Sequence, residues 1–240
     1  MKIIFTIFFA CLQMITYAQI TQIDIVSTLH KNHLQNPNYT YEDVKKYLED
    51  EKPDIIALEI RAEDMNLSKE ILAKRYPFEM YDNLYKISNV SYIGIDWYGD
   101  DIVGKPFPDN YFDNENSVKN VQMKMNKDAD FSTKLSVLKP LTAKKFELVK
   151  KLNIHEMKNG MYDAINEVYY QQIELLCKNS PYEMVSKFYE TRDLRLAENT
   201  SEIIEQNLGK KIIVLTGADH RIAMVKYLNS RFGQKIQIKP

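Results

Sequence analysis

Three apolar runs in this chain each end on a side chain that can bind a cation or move a proton. Ile23-Asp24-Ile25-Val26-Ser27-Thr28-Leu29 stops at His30, and Asp54-Ile55-Ile56-Ala57-Leu58 stops at Glu59. Lys211-Ile212-Ile213-Val214-Leu215-Thr216-Gly217-Ala218-Asp219 runs into His220. Parallel strands of an open α/β sheet bring their C-terminal ends to one rim, and sites form there. Two imidazoles and one carboxylate on that rim read either as metal ligands or as an acid/base set. Glu59 carries the strongest chemical argument, because a carboxylate ending an almost wholly apolar strand is costly to bury unpaired. A metal, a histidinium, Arg61 or a salt bridge with Arg192 would each supply the partner.

Other side chains fall in around these three. His220 stands at the first turn of a helix, where free N–H groups disfavour imidazolium and keep the neutral, metal-binding ring. Asp219 and Asp96 read as substrate contacts; the alternatives are a helix cap for Asp219 and a partner to another site residue for Asp96. His33, three residues beyond His30, reads as a pocket or loop residue in contact with substrate. The planar guanidinium of Arg192 suits orienting an acid or steadying developing negative charge, with a plain salt bridge as the alternative.

These residues need a scaffold. Periodicity predicts strands over 23–29, 55–60, 90–96 and 212–216, with a short last strand at 235–238. Thr40 with Asp43 three residues on predicts a capped helix, making β-α-β with strands one and two parallel and adjacent. Helical segments are expected over about 68–87 and again, without any strand, over 117–208, Thr191 capping the last of these. Residues 97–116 read as a long loop that shapes access to the site. The expected fold class is therefore α/β: a mostly parallel central sheet flanked by helices, with a helical insertion between the third and last strands.

With 45% hydrophobic and 27% charged residues among 240, the chain should fold as a globular protein, and no linker divides it. A formal charge of −1 offers no nucleic-acid footprint. Lys2, the apolar run 3–15 and Thr16-Tyr17-Ala18 follow the grammar of a secretory leader, too short to span a membrane. The expectation is a leader over 1–18, a single domain over 19–240, and a periplasmic or extracellular protein. Acylation of Cys11, giving a lipid-anchored protein, is the rival. Once Cys11 is removed Cys177 is alone, so no internal disulfide can form, and its helical setting reads as a buried thiol. The 16 tyrosines recur at helical spacing and read mostly as packing.

The order of a strand ending in x-Thr-x-His, a strand ending in Leu-Glu and a late strand leading into Gly-Ala-x-His resembles the TraB/PrgY/GumN family. That family is related to the Tiki proteases and, more distantly, to ChaN-like haem-binding lipoproteins and erythromycin esterases. Arg192-Asp193-Leu194-Arg195-Leu196-Ala197 is similar to a stretch preceding the last strand in ChaN-like members. Ser27 stands where the family usually has glycine. The resemblance spreads from about residue 23 to 232 and implies a metal-dependent hydrolase with His30, Glu59 and His220 as ligands. It also carries an alternative, since some relatives bind or sequester rather than cleave.

No Gly-x-Ser-x-Gly, glycine-rich phosphate loop, Cys-x-x-Cys or His-Glu-x-x-His occurs, so serine-hydrolase, nucleotide-binding and ordinary zincin readings fall away. The expectation is an exported peptidase or esterase acting on a peptide or small molecule. His30, Glu59 and His220 would hold zinc, manganese, cobalt or iron, and Arg192 would steady the oxyanion. A metal-free general base oriented by Glu59 is the second mechanism, and a non-catalytic haem-, metal- or peptide-binding protein the alternative function.

Overall fold

The computed structural model describes residues 20–240 apart from 109 and 112. The leader read at 1–18, and with it Cys11, lies outside the described residues. Five strands, β1 Thr21–Thr28, β2 Ile55–Leu58, β3 Ser91–Gly94, β4 Lys211–Gly217 and β5 Ile236–Ile238, form one sheet in the order β3-β2-β4-β1-β5. Every pairing is parallel. The α/β class with helices flanking a parallel sheet is therefore what the chain adopts.

One expectation about order is corrected. β1 and β2 are parallel but not adjacent, because β4 lies between them and pairs with both. The reason is burial: Ile212, Ile213, Val214 and Leu215 are all at 0% exposure, so this strand is apolar on both faces and belongs in the centre. That exchange brings the ends of β1, β4 and β2 side by side.

Helix α1, Tyr41–Glu51, starts with the reciprocal cap the sequence announces: Asp43 N–H donates to the Thr40 hydroxyl, and Thr40 N–H to the Asp43 carboxylate. Two short helices follow, α2 Lys69–Arg75 and α3 Phe78–Asp82. Between β3 and β4 the chain is helical: α4 Val118–Lys127, α5 Ala129–Leu135, α6 Lys139–Val149, α7 Met161–Cys177 and α8 Glu183–Gln206. Thr191 does not cap α8; it lies inside that helix, and its hydroxyl returns to the Lys187 carbonyl. Helix α9, Arg221–Phe232, precedes β5.

Two hydrophobic clusters cover the two faces of the sheet, and a third, around Met125, Leu138, Ile173 and Val185, belongs to the insertion alone. The insertion is tied to β1 near the middle of the strand. There the buried Lys158 reaches Asp24 at 2.9 Å and the Tyr47 hydroxyl at 2.9 Å. Cys177 is buried with its Sγ 3.9 Å from Met125 Sδ, and burial raises its pKa. Among the described residues no helix is long and apolar enough to cross a membrane.

Candidate active site

The loop leaving β1 is built to aim one imidazole. His30 has φ +52°, a left-handed conformation that costs a non-glycine residue energy and tends to occur where function requires it. His33 holds that turn: its Nε2 accepts from Leu29 N–H at 2.9 Å, and its Nδ1 donates to the Tyr39 carbonyl at 2.7 Å. Both ring nitrogens are thus committed to backbone and the side chain is buried, so His33 is not a substrate contact. Burial lowers its pKa, keeping the ring neutral.

His30 itself pairs with a residue the sequence reading missed. Its Nδ1 lies 2.9 Å from Oε1 of Glu79, a carboxylate at 0% exposure on α3. Oε2 of Glu79 finds no partner among the described residues, so this carboxylate is spent on one imidazole. The ring is then a donor at Nδ1 and a base at Nε2. Burial pulls the His30 pKa down, but the hydrogen bond to Glu79 and the charges of Glu59 and Glu79 outweigh it, and the net direction is upward.

Glu59 follows the last residue of β2, buried at 4% exposure. Its Oε1 accepts from Arg192 NH2 at 2.8 Å, and its Oε2 from the Thr216 hydroxyl at 2.8 Å and Gly217 N–H at 2.6 Å. Burial would raise its pKa; His220, Arg192 and His30 overcome that and hold it far below the usual carboxylate range.

Arg192 reaches the rim from α8. Its Nε and NH2 form a fork on Asp96, both at 2.9 Å, while the ring of Tyr98 covers the guanidinium at 4.9 Å. Asp96 therefore positions Arg192, and it is absent from the lining of the cavity that His30 faces. The substrate contact proposed for it gives way to its alternative role. On the other side, Arg192 NH1 lies 3.2 Å from His220 Nε2. His220 Nδ1 is 2.5 Å from Asp193, the residue beside Arg192 on α8, and its Nε2 is 3.6 Å from Glu59 Oε1. Burial lowers the His220 pKa, yet the Glu59 charge and the Asp193 hydrogen bond carry it upward overall.

Asp219 does not cap α9. It lines the cavity, and its carboxylate accepts from the Tyr162 hydroxyl at 2.5 Å, the Tyr170 hydroxyl at 3.1 Å and Lys145 at 2.9 Å. Its oxygens bind the helical insertion to the rim. The 97–116 loop also differs from expectation. None of its described residues lines the cavity, which α4 to α8 cover instead. Arg61 pins that loop through the Ile102 and Lys105 carbonyls and so is not the partner of Glu59.

His30, Glu59 and His220 are brought together, but the donor set does not fit a metal ion. A single cation is already bound there: the Arg192 guanidinium contacts the Oε1 of Glu59 and the Nε2 of His220 that a metal would need. Among the described residues no group of three or more His, Cys, Asp or Glu is arranged to hold a metal. Imidazoles backed by carboxylates do accompany metals, but they also define general bases.

Gly217 is required by this arrangement. A Cβ there would stand 2.7 Å from His30 Nε2 and 3.4 Å from Glu59 Oε2. Gly217→Ala should displace the imidazole, a partly exposed side chain, without breaking the sheet. If the rim is catalytic, the expected result is a loss of about 10²-fold in kcat, as for a misplaced catalytic group, with a melting curve close to wild type. Calorimetry beside steady-state kinetics checks both halves.

The class that the structure defines is an α/β protein with an all-parallel sheet, whose C-terminal rim carries two imidazole–carboxylate pairs around a caged guanidinium. No protein-family model matches the chain, and no curated protein and no solved structure matches it.

Proposed function

We propose that this chain is a carboxylic-ester hydrolase in which His30, oriented by Glu79, activates water without a metal ion. One observation carries the reading: His30 lines a cavity of about 870 Å³ while its Nδ1 is held by a buried carboxylate, leaving Nε2 as the base. His30 Nε2 takes a proton from water as the water oxygen bonds to the ester carbonyl carbon. The carbonyl electrons move to oxygen, and Arg192, which lines the same cavity, is the donor that faces this oxyanion. Collapse breaks the bond to the alcohol oxygen, which receives the proton back from His30. An ester carbonyl is more electrophilic than an amide and an alcohol leaves more readily than an amine, so activation of water by one imidazole serves esters better than amides. The TraB/PrgY/GumN resemblance supports the hydrolase class, and the leader at 1–18 makes export part of the proposal.

The test is a screen of p-nitrophenyl esters and of peptides, run with and without chelator. Ester cleavage that survives chelation supports the reading. Cleavage that appears only with added metal would return His30, Glu59 and His220 to a ligand set. A second reading has its own observation: Tyr169, Tyr170 and Tyr189 line the same cavity, as a planar ligand such as haem would require. A Soret band on haem titration, with no ester cleaved, would favour it.

The pH profile gives a sharper prediction. Against burial, the hydrogen bond to Glu79 and the charges of Glu59 and Glu79 raise the His30 pKa over that of an ordinary histidine, and the base is the unprotonated ring. Activity should therefore rise with pH, with the acid limb of kcat/KM on the alkaline side of an ordinary histidine. Glu79→Gln keeps an acceptor for Nδ1 but removes the charge, so the limb should move to lower pH while kcat falls. An unmoved limb would mean that another group is the base.

A further inference from the structure

We propose that the cavity over the rim is a subsite for a bulky apolar group carried by the ester, an inference that rests on the hydrolase reading above. The cavity has two unlike sides. Its floor is the rim, with His30, Glu59, Arg192 and His220. Its roof is the helical insertion, from which Met125, Leu138, Ile173 and Val185 line the space. These four belong to the hydrophobic cluster of the insertion, separate from the two clusters packed on the sheet. They stand over about 870 Å³ that protein atoms do not fill.

On the roof side Lys145, Tyr162 and Tyr170 are already paired, and the polar lining residues Asn126, Lys139 and Thr142 are exposed to solvent. Lys145 is bound to Asp219 at 2.9 Å and to Asn166 at 2.6 Å, with the rings of Tyr169 and Tyr170 at 4.5 and 5.3 Å. Tyr162 and Tyr170 spend their hydroxyls on the same Asp219. What the roof offers a ligand is aliphatic and aromatic surface, which loses dispersion contacts when it faces a void. A group that fills the space recovers them, and the volume lies in the upper range of small-molecule sites. The apolar group can sit on the acyl or on the alcohol side of the scissile bond, since both would leave the reacting carbonyl beside His30.

Two substrate series test this: p-nitrophenyl acetate against octanoate, and ethyl against octyl acetate. Each is measured on wild type and on Ala143→Trp, an exposed α6 position whose side chain lines the cavity. The wild type should favour the longer member of one series by at least about tenfold in kcat/KM, and Ala143→Trp should cut that ratio about tenfold. The series that responds tells which side of the ester is held. Ratios near one in both series, or ratios that Ala143→Trp leaves unchanged, would overturn the subsite. If no ester is cleaved, the hydrolase reading has failed, and calorimetric titration decides the subsite separately. Saturable octanoate or octanol binding, absent for acetate and weakened in Ala143→Trp, upholds it; no such binding overturns it.

Discussion

His30→Asn should lower kcat by about 10²- to 10⁴-fold, the usual worth of a positioned general base, while leaving the fold intact. Asparagine is the informative replacement. It tolerates the left-handed φ of +52°, and its amide N–H stands roughly where Nδ1 stood, so Glu79 keeps a donor. Alanine would confuse the result, because it strands a fully buried carboxylate as well as removing the base. The measurement is kcat on the best ester from the screen, beside a thermal melt, with and without chelator. A large kcat loss at near-native stability, indifferent to chelation, places His30 in the chemistry. Retained activity in His30→Asn would remove it, and wild-type activity lost to chelation would restore the metal reading.

Arg192→Met should have the largest effect on stability. The guanidinium is the shared partner of Glu59 and Asp96, both buried, and methionine fills similar space with no charge. Breaking a buried pair by removing one partner costs about 3–5 kcal/mol, because the remaining charge is uncompensated. For a chain of this size that corresponds to a fall in Tm of roughly 10 °C. The sign with pH follows. In wild type the depressed pKa of Glu59 contributes stability above its unfolded value, and this is lost as pH falls through the folded one. In Arg192→Met the two carboxylates lose their cation, their pKa values rise, and protonation relieves the variant as pH falls. The gap in Tm between wild type and variant should therefore narrow on acidification. A gap that is small at neutral pH, or that widens in acid, would show that Arg192 is not the cation the site depends on.

Much of the fold could be read along the chain because its signals are local. The alternation of apolar runs with helical segments, the Thr40–Asp43 cap and the strandless stretch between β3 and β4 depend only on neighbours within a few residues. The three rim residues were legible for the same reason: each is a polar side chain at the end of an apolar strand. Glu79 had a weak signal, an acid between Phe78 and Met80 in a helix, but nothing in the sequence joins it to His30, 49 residues earlier. Asp193 lay beside Arg192 in a motif already noticed, yet its partner His220 is on another helix. His33 and Asp96 were assigned to substrate because their types allow it. The guanidinium that pairs with Asp96 comes from a distant segment, whereas the backbone groups that occupy His33, Leu29 N–H and the Tyr39 carbonyl, are near neighbours whose turn geometry the residue types alone do not announce.

The sequence by itself determined which residues could do chemistry and that parallel strands would carry them to one rim, since burial pattern and strand direction are local properties. The tertiary structure alone decided which partners those residues have. Placing β4 between β1 and β2 set His30, Glu59 and Gly217 at one point, and packing α8 over the rim put Arg192 where a metal was expected. A buried carboxylate takes whichever cation the packing delivers, and long-range packing is the one thing that neighbouring residues do not encode.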